Sequence, residues 1–222
     1  MSNQGRAETG GAVNVGNQRA GQIVQAAYLL IAEKGFEGLR TREVADKVGI
    51  NIATLHYHFP TKEAMIQGVV AYLMQELQSS RIPLKASASA LERLRAEFAD
   101  IRVRLRESPH QLVVLTELST RSLRDPQIAL ILQHLNRGWR EHLISIFEAG
   151  IADKSFRSDL DAESAASAMM TQLRGLGYQG IVEGAKIDQL VSFISVQTEE
   201  WVRAQEHKGT HKKKPERRKA KK

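Results

Sequence analysis

The chain contains no cysteine. That excludes a disulfide framework, thiolate metal sites and a cysteine nucleophile. No apolar run approaches the roughly 20 residues needed to span a bilayer. The N-terminal residues are rich in Gly, Asn and Gln and lack the apolar core of a secretory signal, so a cytoplasmic address is the expectation. No Ser/His/Asp set and no pair of carboxylates stands out, and pairs such as Glu97/Arg102 and Arg140/Glu141 read as solvated helix faces. No catalytic residue, cofactor or metal is expected. Alternating strand runs and internal repeats are also missing.

What is present is enough for a globular core. The chain has 222 residues, of which 42% are hydrophobic and 26% charged. Its net charge is +7, but residues 207–222 alone carry +8, from nine Lys/Arg against Glu216. The rest of the chain sums to −1, so the basic character belongs to the tail and not to the body. Glycines at 5, 10, 11 and 16, with little apolar matter between them, predict a disordered N-terminal segment over 1–16.

From Asn17 onward the apolar residues repeat at helical spacing. Ile23, Ala26, Ala27, Leu30 and Ile31 form one face, and Gly35 gives a stop. Thr41 reads as the N-cap of a second helix carrying Val44, Ala45 and Val48, which Gly49 ends. Asn51 caps a third short helix, stopped by Pro60, and Thr61 caps a fourth that runs to about Arg81. Helices are also expected over 87–107, 109–123, from Asp125-Pro126 onward, and over 162–183 and 186–205. The fold class predicted is all-α, with about nine helices.

Two short helices joined by a glycine turn form a helix-turn-helix pattern. The second presents Asn51, Ile52, Ala53, Thr54, His56, Tyr57 and His58, polar, aromatic and small residues suited to a major groove. Leu55 and Phe59, four apart, suit the anchoring side. No Arg occurs in 51–59, so the commonest guanine reader is missing.

The stretch Thr41-Arg42-Glu43-Val44-Ala45-Asp46-Lys47-Val48-Gly49-Ile50-Asn51-Ile52-Ala53-Thr54-Leu55-His56-Tyr57-His58-Phe59-Pro60-Thr61-Lys62-Glu63 strongly resembles the DNA-binding segment of TetR-family transcriptional regulators. The match covers roughly residues 20–66, with the turn glycine, Thr54-Leu55, Phe59 and Lys62-Glu63 at the family spacing. The resemblance implies that Thr41 and Lys62 hold phosphates and that Thr54 and Tyr57 contact backbone or bases. It departs at His56, where the family most often has Tyr, so an operator preference does not carry over.

By that resemblance, residues 17–64 form a helix-turn-helix DNA-binding domain and 65–206 a ligand-binding and dimerisation domain, followed by a basic disordered tail over 207–222. The expected function is a ligand-responsive transcriptional repressor. Its partners are a double-stranded, partly palindromic DNA operator, a hydrophobic or amphipathic effector and a second copy of the chain, with no membrane.

Trp139, Phe147, Met169, Met170 and Leu173, with Leu73, Leu77, Phe98, Leu112, Leu115 and Leu143, are candidates for the effector pocket, against the alternative of ordinary core. The family places its dimer contact on the last two long helices. Gly177, Gly180, Ile187, Leu190, Val191, Ile194 and Trp201 are the candidates for it. Gly175 to Gly180 also spells a dinucleotide fingerprint, but no strand precedes it. Close helix packing explains these glycines better. His207 and His211 lack a third metal ligand. The competing reading is non-specific DNA binding driven by the basic tail.

Overall fold

Most helix starts in this chain are set by a side chain that satisfies an orphan backbone donor. The computed structural model describes residues 9–203. Among them are nine α-helices and no regular strand: α1 (Thr9–Gly38), α2 (Thr41–Val48), α3 (Ile52–His58), α4 (Lys62–Ser79), α5 (Ala90–Glu107), α6 (Pro109–Ser122), α7 (Pro126–Ala152), α8 (Ala162–Glu183) and α9 (Ile187–Val202). Thr61 Oγ1 accepts from Ala64 N at 3.1 Å, and Asp125 Oδ1 from Gln127 N at 3.1 Å ahead of Pro126. Ser89 and Glu92 form a reciprocal capping box at the head of α5. A single 3₁₀ turn, Gly184–Lys186, joins α8 to α9.

Two expectations change. Thr41 is the first helical residue of α2, not its cap; the capping position is Arg40, extended at φ −111°, ψ 127°, with no side-chain bond. A capping side chain reaches the N–H groups of the first turn from a residue in extended geometry, and here that residue is Arg40. The helix begins at Thr9, inside the segment expected to be disordered, although Gly35 at φ +67° does break it as expected. Once a helix is nucleated, each added residue costs only its own propensity, so weak formers such as Gly10 and Gly16 are absorbed. Residues 1–8 and the 207–222 tail, with its histidine pair, lie outside the described residues.

Side chains from the helices form two buried clusters. The first joins α1 to α4 with Val114 and Leu118 of α6 and Ile128 and Leu132 of α7. The second gathers α5, α8 and α9 around Leu143, Ile146 and Phe147, farther along α7. The 27-residue α7 therefore belongs to both. Phe156, in the α7–α8 connection, caps the second cluster. Its ring fills the space a Cβ at Gly150 would need, and Arg157 N donates to Val202 O at 2.9 Å. The helices near the N-terminus are locked to α6 by polar contacts as well. Phe36 N donates to Glu117 Oε2 at 3.1 Å, and Tyr28 packs edge-on to Tyr72 (5.1 Å) and His110 (5.7 Å).

Candidate functional site

The α2–α3 pair is built so that one helix is held and the other is presented. Val44 and Ala45 are buried under α2, and Leu55 is the one buried residue of α3. Gly49 makes the turn in left-handed geometry (φ 70°, ψ 37°), which a side chain would strain. Ion pairs brace α2 on α1: Lys47 on Glu33 at 3.1 Å, and Lys34 on Glu43. With Leu55 anchored, Asn51, Ile52, Ala53, His56 and Tyr57 are exposed, and Thr54, His58, Thr41 and Lys62 are half-buried. Tyr57 is 83% exposed and stacks edge-on to His58, with ring centroids 5.2 Å apart. The residues expected to meet DNA are thus all exposed or half-buried.

Asn51 is more constrained than its sequence suggests. Its Oδ1 accepts from Thr54 N at 2.7 Å, so it caps α3 and keeps only its NH₂ free. Asn51→Ala should lower stability by about 1 kcal/mol. Chemical denaturation checks this, and an unchanged midpoint would show that the cap contributes nothing.

A cavity of about 660 Å³ opens between α4, α5, α6, α7 and α8. That lies in the range, about 300–1,000 Å³, that small-molecule sites occupy. Its apolar wall includes Leu77, Ile101, Leu112, Leu115, Trp139 and Leu173. Of the pocket candidates, Leu77, Leu112, Leu115, Trp139 and Leu173 line it. Leu73, Phe98, Leu143, Phe147, Met169 and Met170 do not and belong to the buried clusters alone, whereas Leu112 and Leu173 belong to the second cluster and also border the cavity. Helical periodicity identifies the inward face but does not distinguish packed core from cavity wall.

The polar lining was not legible as such. Glu97, read as part of a solvated face with Arg102, is 7% exposed. Its Oε2 accepts from Trp139 Nε1 at 3.0 Å, and its Oε1 faces His142 Nε2 at 2.9 Å and Arg81 at 3.5 Å. Arg102 pairs instead with Asp188 at 3.4 Å. Burial pushes the Glu97 carboxyl up, but hydrogen bonds from His142 and Trp139 and the Arg81 charge outweigh it, leaving the pKa below the ordinary 4.5. Glu97 therefore stabilises the fold above pH 4.5, and that contribution is lost as pH falls through its lowered value. The Asp100 carboxyl is pushed up by burial and works in the opposite sense. Glu97→Gln should remove the acid-side loss attributable to this group in thermal melts taken as a function of pH. Superimposable profiles for parent and variant would refute it.

The same wall grips the end of α4. Arg104 donates to Leu77 O at 3.2 Å and reaches Ser80 Oγ at 3.5 Å. Asp100 Oδ1 accepts from Ile82 N at 2.9 Å, and Asp100 faces Arg104 at 3.8 Å. Arg81 and Arg104, which hold this junction, also line the cavity. Only the sequence separation of α4 and α5 hid it.

The residues expected at a dimer contact divide. Gly177 faces Ile101 and Leu112 of its own chain, and a Cβ at Gly180 would collide with Leu105. Val191 is buried, and Ile187, Leu190 and Ile194 pack on the second cluster. Trp201 remains exposed. The open apolar surface instead includes Tyr178, Val182, Phe193 and Val196. α9 is apolar on two faces, one packed on the second cluster and one open. The glycine cluster lies inside α8, with no strand before it, and close packing requires glycine at Gly180, while a Cβ at Gly175 would meet open space.

Among the described residues no helix is long and apolar enough to cross a membrane, and no three potential metal ligands cluster. Residues 23–69 match the family model "Bacterial regulatory proteins, tetR family", and residues 90–199 match "BetI-type transcriptional repressor, C-terminal". The chain is 29% identical over 154 residues to the HTH-type transcriptional repressor KstR2 of Rhodococcus jostii, covering 66% of this chain and 72% of that one. It is 30% identical over 148 residues to KstR2 of Mycolicibacterium smegmatis, covering 65% and 71%. A transcriptional regulator of Saccharomonospora viridis, solved in complex with choline, superimposes with a TM-score of 0.77 at 22% identity over 85% of this chain and 100% of that one. The matched families are regulatory proteins, and tail-driven non-specific binding finds no support among these relatives.

Proposed function

We propose, from the premise that this chain belongs to the TetR family of bacterial transcriptional regulators, that it is a repressor released from a partly palindromic operator by a small molecule held in the α4–α8 cavity. The observation that carries this reading is the continuity of α4. Its first residue, Lys62, follows α3 after only Phe59, Pro60 and Thr61, and its last turn is gripped at the cavity wall by Arg104. A helix about 27 Å long, from 18 residues at 1.5 Å each, joins the two sites.

In this reading residues 17–64 bind DNA and 65–206 bind the effector and a second copy of the chain. α3 enters a major groove with Ile52, Ala53, His56 and Tyr57 toward base edges. Thr41 and Lys62, at the heads of α2 and α4, hold phosphates. The exposed apolar residues of α8 and α9, Tyr178, Val182, Phe193, Val196 and Trp201, close a two-fold contact. The two recognition helices then sit about 34–36 Å apart, one turn of DNA.

Release requires a ligand that binds the DNA-incompetent arrangement better than the competent one. A ligand touching Arg81 or Arg104 competes for the groups that fix the end of α4, so its binding energy acts directly on the DNA-reading unit. The coupling is reciprocal: operator DNA weakens ligand binding by the same factor.

Selection of bound duplexes from a random pool at about physiological salt, which suppresses purely electrostatic binding, tests this reading. A palindromic consensus recovered by protein with and without residues 207–222 is the expected result. Binding without any consensus, or binding lost with the tail, would overturn it.

A further inference from the structure

The lining of the cavity has an uneven charge balance. It contains three arginines, Arg81, Arg104 and Arg174, and one carboxylate, Glu97. Glu97 is fully engaged: Trp139 donates to one oxygen, and His142 and Arg81 face the other. It offers little to an incoming cation unless that network is dismantled. Arg104 is matched by Asp100 and by the carbonyl of Leu77.

Arg174 is different. Its guanidinium lies 5.8 Å from the centroid of the Trp139 ring and donates to Asn136 Oδ1, and among the described residues no carboxylate stands within ion-pair distance of it. The residue as a whole is exposed, and partial desolvation of its guanidinium, together with the nearby Arg140 charge, pushes its pKa down. A cation in that position is held in place by an aromatic face and an amide, with its planar donors uncommitted to any acid. Leu173 and Gly177, on the same helix, put Arg174 beside the apolar wall of Leu112, Leu115 and Ile101.

We propose that the effector is an amphipathic anion: an apolar body lies on Leu112, Leu115 and Leu173, and a carboxylate or phosphate at its end pairs with Arg174. This rests on the reading of the cavity as the effector site. The guanidinium fork matches either anion with two parallel hydrogen bonds. An apolar tail with a neutral head leaves Arg174 without an acid, and a cationic head is repelled by Arg174 and Arg140.

Four probes sharing one alkyl chain test the assignment by calorimetry below their micellar concentrations: decanoate, decyl phosphate, 1-decanol and decyltrimethylammonium. An anion should bind at least about tenfold more tightly than decanol, the scale of a hydrogen bond between charged partners. The order of the two anions tells carboxylate from phosphate. Arg174→Gln should bring the anions down to the level of decanol and leave decanol unchanged, while Arg174→Lys keeps part of the preference. Equal affinity for charged and neutral probes would overturn the proposal. So would tightest binding of the ammonium, or no binding of either anion at millimolar concentration.

The duplex selected from the random pool separates this outcome from the parent reading. Parent and Arg174→Gln proteins that both hold the duplex, without an anion preference in the parent, would leave the regulator standing and the anion assignment refuted. A parent that prefers anions but recognises no duplex would refute the regulator instead.

Discussion

Tyr57→Ala should lower operator affinity by about thirtyfold or more and leave the fold untouched. Tyr57 is 83% exposed and makes its one aromatic contact with the neighbouring His58, so its removal opens no cavity in the core. A lost groove contact costs on the order of 1–3 kcal/mol. A dimer loses it twice, giving at least about 2 kcal/mol, or roughly thirtyfold. The measurement is a titration of labelled duplex, with a thermal melt alongside to show that parent and variant are equally folded. Lys62→Ala is the informative contrast. If Lys62 neutralises a phosphate, its loss should weaken all duplexes alike and shallow the salt dependence by about 0.9 log unit per phosphate. Unchanged affinity in Tyr57→Ala would mean that α3 is not the reading helix, whatever its exposure.

The second large effect concerns the joint between α4 and α5. The double variant Asp100→Asn with Arg104→Gln should bind operator nearly as tightly as the parent yet no longer release it when ligand is added. Coupling between sites of this kind is typically about 5–150-fold in affinity, and most of that factor should vanish. The physical argument is that Leu77 O and Ser80 Oγ, the last anchors of α4, are held by the same guanidinium that faces the cavity. Asn at position 100 retains an oxygen to accept from Ile82 N, and the paired change avoids leaving one buried charge without its partner. The readout is duplex affinity with and without a ligand that releases the parent, together with direct ligand binding to the variant. Normal ligand binding with release intact would show that the signal reaches α4 by another route. One such route is the Tyr28, Tyr72 and His110 packing between α1, α4 and α6.

The sequence by itself determined much of the local structure and which side of α3 is exposed. Caps, glycine turns and the 3.6-residue period are properties of neighbouring residues, so Asn51, Thr61 and Asp125 could be placed as caps and Gly35 and Gly49 as breaks before any contact was known. The exposure of Tyr57 and the burial of Leu55 follow from the same short period. Only the tertiary structure decided what each apolar stripe meets. Met169 and Leu173 occupy one helical face four residues apart and both are buried in the second cluster, yet only Leu173 also borders the cavity. α9 has two apolar faces, and only packing shows that Val191 is buried while Phe193 is open. The polar lining depended on it most of all. Glu97 and Trp139 meet across 42 residues of sequence, and Arg104 reaches Leu77 across 27. A charged residue on a helix reads as solvated until another element covers it, and which element covers it is settled by long-range packing that no local period encodes.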